Sequence, residues 1–151
     1  MIRRAGLADI DAIVAVFERS FATLDFLPRL HTHEDHVRFL DRCVVDDETW
    51  VWDDGEIRGF AVLRGEELSQ LYVDPSSFRR GVGSALLETA KGERPDGFTL
   101  WVFQRNAAAR RFYEAHGLRC VRLTDGSFNE ERTPDALYAW DPSAARGSSA
   151  R

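Results

Sequence analysis

Residues 68–91 read Leu-Ser-Gln-Leu-Tyr-Val-Asp-Pro-Ser-Ser-Phe-Arg-Arg-Gly-Val-Gly-Ser-Ala-Leu-Leu-Glu-Thr-Ala-Lys, and this stretch decides the fold. Leu68, Leu71 and Val73 suit a buried strand, and Asp74-Pro75 stops it. Beyond a short loop, Val82, Leu86 and Ala90 recur at helical spacing, with Ala85 and Leu87 widening the apolar stripe. Between strand and helix lies Arg79-Arg80-Gly81-Val82-Gly83-Ser84. Glycine lacks a Cβ, so backbone N–H groups here can approach an anion closely. The first helical turn adds unpaired N–H donors and the positive end of the helix dipole. Together they make a pyrophosphate seat with two arginines at its edge, which points to a nucleotide-derived cofactor.

The rest of the chain sets bounds on this reading. Its 151 residues suit one domain with a sizeable core. Hydrophobic residues make up 44% and charged residues 30%, as in soluble globular proteins. A net charge of −5 argues against binding to a nucleic-acid backbone and is compatible with a cationic substrate. Cys43 and Cys120 are far apart and form no Cys-x-x-Cys pair, so a reduced, cytoplasmic setting is expected. Met-Ile-Arg-Arg-Ala at the start lacks the apolar run of a signal peptide. No stretch approaches the roughly 20 apolar residues of a membrane helix, so no membrane partner is expected.

In chain order, residues 1–5 read as a short strand. A helix follows from Leu7-Ala-Asp9 to about Leu24, with Ile10, Ile13, Val14, Phe17 and Phe21 at helical spacing. A second helix starts near Thr32 or His33, where Thr32 can cap and Glu34-Asp35 favour the N-terminal end. Residues 49–53, 57–63 and 67–73 form an antiparallel meander, turning at Asp53-Asp54-Gly55-Glu56 and at Gly65. After the glycine-entered helix, residues 98–103 form a strand parallel to 67–73, because a helical crossover connects them. Asn106 caps a helix to about His116, and Gly117 ends it. Strands near 119–124 and 136–141 complete the sheet. The polar composition of residues 142–151 reads as a disordered tail. The expected order is β-α-α-β-β-β-α-β-α-β-β: an α/β (α+β) domain over residues 1–141, with a mixed, mostly antiparallel sheet of about seven strands and helices on both faces.

On these features the chain resembles the Gcn5-related N-acetyltransferase (GNAT) superfamily. Arg80-Gly81-Val82-Gly83 matches the core of the family's pyrophosphate loop, which places Gln or Arg, two residues, Gly, one residue, then Gly or Ala. Phe78 departs from it at the Gln/Arg position. Asn106-Ala-Ala-Ala-Arg-Arg-Phe-Tyr-Glu-Ala-His-Gly117 is similar to the family's Asn-x-x-Ala-x-x-Phe-Tyr-x-x-x-Gly segment. A Rossmann dinucleotide domain does not fit, since a meander precedes the glycines and no third glycine follows at the required spacing.

The resemblance implies an N-acetyltransferase that moves the acetyl group of acetyl-CoA to a primary amine by direct attack in a ternary complex. It implies that strands 67–73 and 98–103 splay apart, leaving backbone groups of Leu71, Tyr72 and Val73 for the pantetheine arm and the thioester oxyanion. Arg79, Arg80, Gly81, Val82, Gly83 and Ser84 would hold the pyrophosphate, and Asn106, Ala109 and Arg110 would line the cofactor. Tyr113 would protonate the departing thiolate. An amine with a pKa of roughly 10 must lose a proton before attack; Glu67, Glu66 or no residue at all would take it. Phe26, Leu30 and His31 would border the acceptor, while Glu130, Glu131 and Asp135 either draw a cation or are simply solvated. His31, His33 and His36 lack the spacing and companions of a metal site. The alternative reading is a catalytically silent acyl-CoA-binding or regulatory module on the same fold. Expected partners are a small-molecule or peptide amine, with a homodimer left open.

Overall fold

In the computed structural model, β1 (Ile2–Arg4) is followed by α1 (Ile10–Phe21) and α2 (His33–Asp46). The chain then forms β2 (Glu48–Asp53), β3 (Ile57–Arg64), β4 (Glu67–Val73), α3 (Val82–Glu93) and β5 (Phe98–Phe103). It ends with α4 (Ala107–Ala115), β6 (Arg119–Leu123) and β7 (Asp135–Trp140). The structure describes residues 1–143, so the expected disordered tail lies outside them from residue 144 onward. The seven strands form one sheet in the order β1-β2-β3-β4-β5-β7-β6. Every neighbouring pair is antiparallel except β4–β5, which is parallel as the crossover requires.

Local chemistry accounts for the helix ends. Thr32 and Asp35 form a reciprocal capping box: the Asp35 amide donates to Thr32 Oγ1 (3.2 Å) and the Thr32 amide to the Asp35 carboxylate (2.9 Å). The first helix stops at Phe21, three residues before the expected end. Successive turns replace it, with Thr23 donating through backbone and hydroxyl to the Ser20 carbonyl and the Leu24 amide donating to Phe21.

Two apolar layers sandwich the sheet. Ile13, Val14 and Phe17 of α1 and Leu40 and Cys43 of α2 pack on Val51, Phe60 and Val62. On the opposite face, Val82, Leu86, Leu87 and Ala90 of α3 meet Ala61, Leu63, Leu68, Leu100 and Tyr138. Strict alternation would place Leu68 and Leu71 on opposite faces, yet both belong to the α3 layer. The reason is a bulge. Gln70 pairs with Val62 and Leu68 with Leu63, so Ser69 is an extra residue, and its hydroxyl donates to the Val62 carbonyl (3.3 Å).

Gly59 sets how closely α3 lies on the sheet. A Cβ there would come within 2.9 Å of Val82 Cγ1, 3.0 Å of Leu86 Cδ1 and 3.0 Å of the Tyr72 carbonyl oxygen. Gly59→Ala is therefore expected to destabilise the fold by about 1–3 kcal/mol through overpacking. Chemical denaturation would show this as a lower midpoint with an unchanged slope.

Candidate active site

The site starts where β4 and β5 part. Their ladder is confined to Glu67↔Thr99, flanked by a bond from the Thr99 amide to the Glu66 carbonyl (3.0 Å). Beyond it Leu71, Tyr72 and Val73 pair only with Ala61, Phe60 and Gly59 of β3. Their outward backbone groups have no β5 partner, and such an open strand edge favours a hydrogen-bonding occupant.

The turn after β4 is pinned by Asp74. Its carboxylate accepts from Arg19 (2.9 Å) and from the Ser76 amide (3.4 Å). The Arg19 guanidinium holds the Asp74 carboxyl below its ordinary range. The loop then passes through two left-handed residues, Arg79 (φ 65°) and Gly81 (φ 84°). Gly81 at the N-cap offers no side chain to the first turn of α3, and that turn carries no acidic residue. Arg79 and Arg80 form no ion pair among the described residues. The free Val82, Gly83 and Ser84 amides, the helix dipole and two neighbouring arginines without an ion pair among the described residues make the entry to α3 electropositive.

His116 is a contributor that sequence reading took only as a helix end. Its Nδ1 lies 2.9 Å from the Phe112 carbonyl and its Nε2 3.0 Å from Ser84 Oγ. A carbonyl can only accept, so Nδ1 is the protonated nitrogen and, in the neutral ring, Nε2 accepts from Ser84. This bond ties the entry turn of α3 to the end of α4. The expected signal in sequence was faint, because histidine at a helix end is common without any such role.

Tyr113 is buried in the α3–α4 layer, with Phe112 edge-on at 5.3 Å and Tyr138 at 6.2 Å. No hydrogen-bond partner engages its hydroxyl among the described residues. Burial pushes its phenol well up, and the nearby Tyr72 adds to the effect. Tyr72 itself packs between Phe17 (5.0 Å) and Phe60 (5.8 Å), and burial pushes its phenol to about 12, with Glu131 adding to the rise. Asn106 caps α4 by accepting from the Ala109 amide (3.2 Å). Arg110 Nε donates to the Tyr138 hydroxyl (3.0 Å), which donates to Glu114 (2.5 Å).

A cleft of about 780 Å³ opens beside Tyr72 and Gln70, walled by Trp101 and Phe103. Leu30 and His31 line it, whereas Phe26 is not among its lining residues and stands edge-on to Phe103 at 6.1 Å. Glu67 lines an adjoining cleft of about 340 Å³ with Arg42, Cys43 and Arg64. The two clefts share Ser69 and Gln70, so the bulge lies on the wall between them. His33 and His36 both bond Glu18, at 2.9 Å and 2.7 Å.

His31 bridges the cleft mouth to Glu130 at 2.8 Å. The Glu130 bond and charge raise the His31 pKa, so the bridge is fully formed below the ordinary imidazole value of about 6.5. It is lost as pH rises through the raised value. A proton NMR titration should give a His31 midpoint above the ordinary value, and Glu130→Gln should lower it towards that value.

This parted-strand sheet with an anion seat is the architecture of an acyl-transfer family, and sequence likeness agrees. Residues 45–119 match the family model described as an acetyltransferase (GNAT) domain. The chain belongs to the GNAT superfamily. It is 33% identical over 125 residues to peptidyl-lysine N-acetyltransferase YjaB of Salmonella typhimurium, covering 78% of this chain and 82% of that protein. It is 28% identical over 144 residues to peptidyl-lysine N-acetyltransferase YiaC of Escherichia coli, covering 93% and 96%. The solution structure of apo YjaB from Escherichia coli superposes with a TM-score of 0.75 at 26% identity, covering 93% of this chain and 96% of that one. No helix among the described residues is long and apolar enough to cross a membrane.

Proposed function

We propose that residues 1–141 form an acetyl-CoA-dependent N-acetyltransferase that acetylates a primary amine by direct attack in a ternary complex. The acceptor class we favour is a lysine side chain in a peptide, supported by the two peptidyl-lysine relatives. The carrying observation is the single-pair contact of β4 and β5, which leaves Leu71–Val73 backbone groups unlaced next to an uncapped helix start.

The residues fit the cofactor. Val82, Gly83 and Ser84 amides with Arg79 and Arg80 suit its diphosphate, and the β4 edge suits an amide-bearing arm. Acetyl-CoA supplies a thioester, an acyl group activated for transfer. A β4 N–H stabilises the negative charge that develops on the carbonyl oxygen. Tyr113, whose raised pKa keeps it protonated, holds a proton for the leaving sulfur. Glu67 takes the proton of the incoming amine through water, from the neighbouring cleft. No cysteine lies in either motif, so an acyl-enzyme is not invoked.

Calorimetry with CoA, together with thiol release on lysine peptides, polyamines and free amino acids, tests this reading. Tight CoA binding and turnover on a lysine peptide are expected. Binding without turnover on any amine would establish the silent acyl-CoA-binding module instead.

A further inference from the structure

Four carboxylates occupy the loop between β6 and β7 and its exit, and the structure separates their uses; Asp125 accepts from the Ser127 amide (2.9 Å). Glu130 is engaged by His31 at 2.8 Å. Asp135 is engaged by Thr124 and by Asn129 Nδ2 (3.1 Å). Glu131 has no hydrogen-bond or ion-pair partner for its carboxylate among the described residues. It is half-buried and lines the acceptor cleft alongside Tyr72.

The loop that carries it is built to hold position. Asn129 donates to the Thr133 carbonyl (2.7 Å) and accepts from the Thr133 amide (3.1 Å). Gly126 lies so close to Thr133 that a Cβ would meet its backbone at 2.3 Å. A fixed, half-buried carboxylate with no internal cation has lost part of its hydration without gaining a counter-charge. Its charge helps to raise the Tyr72 phenol, so it lies within electrostatic reach of that hydroxyl. The same cleft is lined by Trp101, Phe103 and Tyr72, surfaces that suit a chain of methylenes ending in a cation.

We propose that Glu131 receives the ammonium group of the acceptor and thereby selects a cationic, unbranched primary amine over a neutral side chain of the same length. This rests on reading the 780 Å³ cleft as the acceptor site. Glu131 is a specificity-determining residue, distinct in place from Glu67, which lines the other cleft.

The test is a binding measurement on the full chain saturated with CoA, so that no transfer occurs. Nα-acetyl-lysine amide and the uncharged isostere in which a methyl replaces the ammonium, Nα-acetyl-2-aminoheptanoic acid amide, are titrated into wild type and Glu131→Gln. Wild type is expected to prefer the lysine probe at least tenfold. Glu131→Gln should bring that preference to within about twofold of unity, with CoA affinity unchanged. A preference retained in Glu131→Gln, or absent from wild type, overturns the proposal. Turnover distinguishes the two levels. Acetyl transfer with a preference that survives Glu131→Gln removes this assignment and leaves the acetyltransferase reading standing. A Glu131-dependent preference without transfer does the reverse.

Discussion

Tyr113→Phe is expected to lower kcat on a good amine by roughly 10²–10³-fold, within the range for loss of a general acid. The fold should be almost indifferent. Phenylalanine keeps the ring contacts to Phe112 and Tyr138, and the hydroxyl that disappears has no internal partner among the described residues. CoA affinity and the amine KM should change little, because the hydroxyl acts where charge develops on the leaving sulfur. Steady-state thiol release gives kcat and KM, and calorimetry gives the CoA affinity. A kcat within threefold of wild type would remove Tyr113 as the acid and leave water or Tyr72, the partly buried phenol that lines the cleft, as the proton source.

Gly83→Glu is expected to abolish CoA binding, with a loss of at least 100-fold, while the domain stays folded. The local geometry separates those outcomes. A Cβ on Gly83 would make ordinary contacts with Phe112 Cζ (3.4 Å) and Val73 Cγ2 (3.5 Å). Gly83 also has no left-handed φ for a side chain to strain. A glutamate in the first helical turn is favourable to the helix itself. It puts a negative charge where the proposed reading seats a diphosphate. Gly83→Ala is the control: it adds only the tolerated Cβ and should keep CoA affinity within a fewfold of wild type. Calorimetry with CoA and a thermal melt on both variants decide the matter. Retained binding by Gly83→Glu would show that the phosphates lie elsewhere.

The strand-turn-helix run at 68–91 was readable because each part has a local signature. Asp74-Pro75 breaks the strand, glycines open the helix, and Val82, Leu86 and Ala90 mark its buried stripe. The capped second helix was readable for the same reason, since Thr32 and Asp35 satisfy each other within four residues. What escaped reading depends on partners distant in sequence. The bulge at Ser69 exists only in register with β3, and no glycine advertises it. Ser84 finds His116 across 32 positions, and Arg110 finds Tyr138 across 28, bracing α4 against β7. The acidic loop shows the limit most plainly. Glu130, Glu131 and Asp135 are equivalent by composition, and only their tertiary neighbours separate a bridge, a brace and an uncommitted charge.

The single rung joining β4 to β5 has a consequence for how the protein holds together. The antiparallel block from β1 to β4 and the block formed by β5, β7 and β6 share one ladder pair, so their union rests mainly on α3 and the layer beneath it. On the proposed reading, a cofactor laid along the open edge of β4 acts as a surrogate strand. Occupancy then reinforces the seam between two half-sheets, and a ligand present at 100 times its Kd would add about 2.7 kcal/mol to the folded state by mass action. On that reading the weakest seam of the architecture is also the place where its substrate is received.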